Sequence, residues 1–291
     1  MLATIEVATT NAVKYGARGM LLTDWGDMGH WQYLPVSYAG YTAGAALSWN
    51  STSTKNMPLG KFLSSYIFRD ETSVMGDLAL DMGRYNKYEQ FPLFNMTTTM
   101  LSFQFGIRDK ILVNAIFEKV INGIGDMMKD LVPELITSLR DNYDHRHQFD
   151  YSGLEKFIDS KEALLKKVRM QTSDSLIIRD EYMNSIRLIR LGADLQNYID
   201  MRGKLTLLEE KSKLTVMMEL VNLYLEENKR LWLLRNKPGG YDRSTSLLYT
   251  LKWQVDDRLR LLEKSSFSRR MYRFFEKIGT AGAVLYVRSA S

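Results

Sequence analysis

Cysteine is absent from the 291 residues, which removes disulfides, thiolate metal sites and cysteine nucleophiles together. Histidine is nearly absent: three occur, and His145 and His147 stand two apart, a spacing that does not place both on one helical face. A histidine-rich metal centre is therefore not expected. Five prolines are few for a chain of this size, while the 16 methionines suit an irregular helical interior. No run is apolar enough to span a membrane. The longest stretch free of Asp, Glu, Lys and Arg, Met28 to Thr54, contains His30, Gln32, Pro35, Asn50 and several hydroxyl side chains. Such a stretch points to burial instead. No secretory signal opens the chain, since Met1-Leu2-Ala3 leads directly into Thr4-Ile5-Glu6. Zinc-type, P-loop and dinucleotide fingerprints are missing, so neither metal nor cofactor is expected.

What is present is ordinary globular composition, 45% hydrophobic and 25% charged, with enough length for one large domain or two smaller ones. The net charge of +5 is concentrated at the end: residues 251–291 hold nine Lys/Arg against four Asp/Glu, and residues 1–250 balance. A basic tail could touch nucleic acid or anionic lipid. Its charges lie on an amphipathic helix with irregular aromatic interleaving (Tyr272, Phe274, Phe275), so a solvated face is the preferred reading, with neither nucleic acid nor membrane as partner.

Texture divides the chain. Residues 1–56 are rich in glycine and tryptophan, and residues 57–291 are charged and helically periodic. A first helix from about Thr4 to Tyr15 should end near Gly16. Gly19 to Thr23 reads as a short buried strand, and Pro35 is placed to open a helix through about Ala46. Leu47-Ser48-Trp49-Asn50 then reads as a second strand tip. That order is the grammar of an α/β barrel. Later apolar residues recur at threes and fours: one stripe from about Asp109 to Asn142, another from Leu154 to Val168, others from Ile178 to Leu195, Leu214 to Leu225 and Leu248 to Leu262. These should pack as an antiparallel bundle. The expected fold is thus mainly α, with about two strands of a (β/α)8 barrel in 1–56 and an all-helical domain in 57–291.

The chemistry-bearing segment is Thr23-Asp24-Trp25-Gly26-Asp27-Met28-Gly29-His30-Trp31. Two carboxylates, two indoles and an imidazole fall at the end of the expected strand, the face where barrel active sites are built. Indoles offer flat apolar platforms for sugar rings, and carboxylates accept hydrogen bonds from hydroxyls. The competing reading is a packed loop, with Trp25 and Trp31 in the core and the acids capping helices.

The stretch GMLLTDWGDMGHWQYLPVSYAGYTAGAALSWN, from Gly19 to Asn50, resembles the seventh-to-eighth strand region of glycoside hydrolase family 20, the β-N-acetylhexosaminidases. It is most similar to a bacterial branch with TDWGD-x-GH and a later SWN. Leu231 to Gly240, LWLLRNKPGG, resembles a WL-x-RN-R-PGG segment in the helical region beyond the barrel of that family. Between them, residues 90–230 match only in helical character.

The resemblance implies substrate-assisted retaining hydrolysis of a terminal N-acetylhexosamine, an exception among glycosidases. The substrate's acetamido oxygen attacks, a glutamate protonates the leaving group, and an adjacent aspartate orients the acetamido group. That Asp-Glu pair belongs to a strand well upstream of the matched region. The adjacent acid pairs that do occur, Asp70-Glu71, Glu209-Glu210 and Glu226-Glu227, are expected on solvated helix faces. No catalytic residue is therefore assigned. The carried-over residues are sugar-binding. Trp25 and Asp27 answer to the family's Tyr-x-Asp, with Asp24 as an alternative to Asp27. Trp49 corresponds to the tryptophan flooring the acetamido pocket, and His30 and Trp31 would line the leaving-group side. The implied partners are an N-acetylhexosamine-containing glycan, plus either the missing N-terminal barrel half or a second copy covering the barrel strands. The second motif also reads as a plain structural turn, with Asp242 and Ser244 capping a helix from about Thr245. A non-catalytic helical interaction module is the alternative function. Cytoplasmic location is favoured, with any targeting signal expected upstream.

Overall fold

The computed structural model describes residues 1–26, 29, 31–52, 54, 56–88, 97–108, 112, 115, 116, 118, 119, 123 and 149–289. Ten α-helices occur among them: α1 (Leu2–Lys14), α2 (Tyr38–Trp49), α3 (Leu59–Phe62), α4 (Met75–Met82), α5 (Thr98–Phe105), α6 (Tyr151–Leu165), α7 (Ser175–Met201), α8 (Leu207–Arg235), α9 (Tyr241–Leu262) and α10 (Ser266–Ser289). A 3-10 turn over Leu34–Ser37 leads into α2, and a π-turn over Leu63–Ile67 follows α3.

The described residues contain no strand or sheet, which overturns the expected barrel remnant. Gly19 to Thr23 runs without regular structure, with Leu21 exposed. A short apolar run becomes a strand only when another strand satisfies its backbone, and the only described bridge is the isolated Asp70–Met170 contact. Leu47 to Trp49, the second expected strand tip, is the last turn of α2. The Ala- and Leu-containing run Ala43 to Leu47 carries the helix onward, and it stops at Asn50, whose backbone is extended. The first helix appears close to expectation and ends before Gly16, at φ +65°. Pro35 sits in the first turn of the 3-10 segment, its expected place. The stripe expected from Asp109 to Asn142 lies almost wholly outside the described residues.

The chain separates into two compact units. The first gathers Met1–Tyr85, Lys156–Arg187 and Glu227–Thr245. Its interior centres on Leu63, Phe68, Met75, Ile158, Leu165 and Tyr182. Phe68 meets Tyr182 edge-on at 6.2 Å between ring centroids, and the Tyr182 hydroxyl donates to the Pro35 carbonyl at 3.0 Å. Asp70 is buried and organises the turn before α4. Its Oδ2 accepts from the Val74 and Met75 amides at 2.8 and 2.9 Å, and its Oδ1 from the Arg169 amide at 2.8 Å. Burial works against ionisation here, yet these backbone donors prevail and hold the carboxyl below its ordinary range.

The second unit gathers Asn86–Glu155, Leu188–Glu226 and Ser246–Ser291. Its interior includes Leu191, Leu195, Tyr198, Leu214, Val221 and Leu248, from the periodic stripes. Among them sits an ion pair: Arg258 Nη2 lies 2.7 Å from Glu210 Oε1, which also accepts from the Tyr198 hydroxyl at 3.0 Å. Asp70 and Glu210 are thus interior residues, a correction to the solvated faces expected of their acid pairs.

Candidate functional site

In the first unit, the two segments singled out in the sequence fold against one another although about two hundred positions separate them. The 3-10 turn and Pro35 direct residues 31–34 toward the C-terminal part of α8. Trp31 donates its indole N–H to the Ser244 carbonyl at 2.6 Å, and Ser244 Oγ donates to the Gly29 carbonyl. Ser244 therefore lies in the first turn of α9, tying the two segments together, and the helix opens at Tyr241 rather than near Thr245.

Beside that contact lies a cavity of about 160 Å³. Trp31, Gln32, Tyr33 and Leu34 form one side, and Leu231, Trp232, Arg235 and Asn236 the other, with Glu181 and Asn228 between. Several of its polar groups are engaged. Asn184 Nδ2 and Asn228 Nδ2 both donate to the Tyr33 hydroxyl oxygen at 2.8 Å. Burial pushes that hydroxyl up to about 12, despite the amides that oppose the rise. Glu181, 1% exposed, accepts from Arg235 Nε at 2.5 Å and Nη2 at 2.9 Å, and Arg235 also reaches Asp174 at 3.0 Å. Desolvation lifts the Glu181 carboxyl above the ordinary range, with Arg235 opposing it. Trp232 closes the turn after α8 by donating to the Lys237 carbonyl at 2.8 Å and meets Tyr241 edge-on.

The expected sugar-binding residues are only partly drawn together. Asp24 is braced: Oδ1 accepts from Gln32 at 2.6 Å and Oδ2 from the Ser37 hydroxyl at 2.5 Å. With each oxygen accepting from a neighbouring side chain, Asp24 staples the loop to Gln32 and to the 3-10 turn. Trp31 is the cavity wall already described. Trp25 is 76% exposed, its indole N–H held by the Thr23 hydroxyl at 2.7 Å, and Trp49 is 91% exposed at the end of α2. Neither indole lines the cavity. Asp27 and His30 lie outside the described residues.

Sequence reasoning missed Tyr33, Glu181 and Asn228, since single polar residues on periodic helices carry no local signature of burial. None of the three adjacent acid pairs enters the cavity as a pair. Glu209 accepts from the Thr206 amide and hydroxyl at 2.8 Å, a helix-opening cap, and Glu227 pairs with Arg230. Among the described residues no group of three His, Asp or Glu side chains could hold a metal ion. No protein-family model, curated protein or solved structure matches the chain.

Proposed function

We propose that this chain is the C-terminal portion of a family 20-like glycoside hydrolase acting on terminal N-acetylhexosamine by substrate-assisted retaining hydrolysis. In this reading the chain supplies sugar-contacting side chains, and the catalytic Asp-Glu pair comes from the remainder of the enzyme. The observation that supports it is that the two family-like segments wall one cavity, residues 31–34 on one side and 231–236 on the other, with the Trp31 indole on the carbonyl of Ser244 just beyond the second segment. Two motifs resembling one family are better explained as parts of one device when they also meet in space.

In the first unit Trp25 and Trp49 are exposed indoles, available to stack on the C–H face of a pyranose. The Asp24 carboxylate already accepts from Gln32 and Ser37, which favours Asp27, the residue that the family resemblance carries over, for hydroxyl recognition. One member of each adjacent acid pair is committed to a structural partner. Asp70 serves backbone amides, Glu210 serves Arg258 and Glu227 serves Arg230.

The test combines turnover and binding. The chain alone should not hydrolyse a chromogenic N-acetylglucosaminide, and clear turnover would refute the placement of the catalytic pair. Titrating the chain with chitobiose should give a saturable change in tryptophan fluorescence that Trp25→Ala removes.

A second reading, a helical interaction module without sugar chemistry, is favoured by one observation. Exposed apolar side chains (Val7, Val13, Tyr15, Leu21, Trp25, Trp49) crowd a segment with few charges, as docking surfaces do. Saccharide-independent fluorescence would select it.

A further inference from the structure

Helix α10 presents its apolar side to solvent. Phe267, Met271, Phe274, Ile278 and Leu285 are alternately four and three residues apart, with Ala281 completing the series. At about 100° per residue they share one stripe, and all five are exposed. Phe275 and Tyr286, also exposed, widen it on one side. The opposite side of the helix turns inward. Glu276 accepts from Arg202 and lies 3.8 Å from Arg258, while Arg269 donates to the Leu262 carbonyl at 3.2 Å. An amphipathic helix ordinarily buries its apolar stripe; this one buries the polar one.

A third sector settles the kind of partner. Arg270 and Lys277 are exposed and flank the apolar stripe on its other side, and beyond them Arg273, also exposed, has its guanidinium 3.9 Å from Glu210. Over Ser266–Ser289 there are five basic residues and one acid, Glu276, which faces inward. We propose that α10 lies on the surface of an anionic lipid bilayer, its aromatic stripe at the headgroup–acyl boundary and its basic sector among the headgroups. An exposed, aromatic-rich stripe beside a basic one, on a helix of low mean hydropathy, is what an interfacial helix requires. No described helix is long and apolar enough to cross a membrane, so the helix lies in the plane. A second copy fits less well. The seam from Phe267 to Leu285 offers six core positions, only the minimum of three heptads that sustains a coiled coil; one of the six is the small Ala281, and pairing would bring basic flanks close. A nucleic acid would use the basic sector and leave the aromatic stripe in water.

Co-sedimentation of the full chain with vesicles tests this. Vesicles of phosphatidylcholine containing phosphatidylglycerol should bind the chain, and added salt should weaken the binding. Phosphatidylcholine alone should not bind it. Ile278→Asp, and separately the pair Arg270→Glu with Lys277→Glu, should each reduce binding by at least about tenfold, with far-ultraviolet circular dichroism unchanged. Both variants change exposed positions, so folding is preserved. Absence of binding, or equal binding to both vesicle types, overturns the proposal. So does a dimer by light scattering that Ile278→Asp dissolves, which would assign the stripe to a second copy.

Discussion

Replacing Arg235 by methionine isolates the energetic centre of the first unit. The guanidinium makes two hydrogen bonds to Glu181, at 2.5 and 2.9 Å, and Glu181 is 1% exposed. Removing one member of a buried pair costs about 3–5 kcal/mol because the other charge is left in a low-dielectric site. Arg235 keeps some contact with water, so the lower end, about 3 kcal/mol at pH 7, is expected. The pH dependence carries the diagnosis. Glu181 already has a folded-state pKa above its unfolded value, through burial, and losing Arg235 raises it further. A carboxyl raised in the folded state binds protons more readily there than in the unfolded chain. Stability is therefore lost as pH rises from the unfolded pKa through the folded one, and regained as pH falls. Urea unfolding measures it, and in a Trp253→Phe background tryptophan fluorescence reports the first unit, because Trp25, Trp31, Trp49 and Trp232 all lie there and Trp253 lies in the second. The gap between wild type and Arg235→Met should narrow by about 1 kcal/mol or more between pH 7 and pH 5, one pKa unit being worth about 1.4 kcal/mol. Combining Glu181→Gln with Arg235→Met should recover most of the loss and flatten the pH dependence. A pH 7 gap below about 1 kcal/mol, or one unchanged at pH 5, would show that the pair is solvated and refute the reasoning.

Two further outcomes follow from the same unit. Tyr33→Phe removes the oxygen on which Asn184 and Asn228 both converge, so urea unfolding at pH 7 should show a loss of about 2 kcal/mol. Because the Tyr33 hydroxyl is pushed up to about 12, the wild type should lose stability as pH rises from about 10, and the variant should lose less. Gly76→Ala would place a methyl 1.9 Å from the Gly60 carbonyl oxygen and 2.8 Å from the Ser64 amide. Backbone must move apart to admit it, so thermal unfolding should report about 3 kcal/mol of destabilisation; a neutral result would mean that α3 and α4 pack less closely than described.

Long periodic segments were legible in the sequence and short ones were not. Leu154, Ile158, Ile178, Ile186, Leu214, Val221, Leu248 and Leu251 are buried because threes and fours repeated over several turns can satisfy only a helix with one side inward. Gly19 to Thr23 has no such redundancy. Four or five apolar residues fit a strand, a helix end or an irregular run, and only a partner strand could have decided the matter. Leu47 to Asn50 was separated from α2 to complete a helix, strand, loop, helix, strand order, where the alanine-rich run before it argued for continuation. Asp70 and Glu210 escaped because their burial is created by distant groups: Glu210 by Arg258, 48 positions on, and Asp70 by the Arg169 amide, 99 positions on. The turn at Pro238-Gly239-Gly240 was read correctly as a turn, but Ser244 works as a tether to Gly29 and Trp31 rather than as a cap.

The tether and the Asp24 staple give the exposed tryptophan its meaning. The loop from Thr23 to Gln32 is pinned at one end by the Asp24 bonds to Gln32 and Ser37, and at the other by Trp31 and Gly29 on Ser244. Trp25 lies between these fixed points, with its N–H already oriented by Thr23. A solvent-facing indole held this way loses little further freedom when a ring stacks on it, so contact energy is not consumed in ordering the loop. An exposed tryptophan on an untethered loop would be a liability for solubility with no compensating gain in binding. The interior of the first unit contributes in the same direction. Glu181 with Arg235, and Tyr33 with its two asparagines, anchor the elements on which both pins rest. The buried polar groups around the cavity therefore act as the frame, and in the proposed sugar-binding function recognition falls to Trp25, which the frame leaves uncovered.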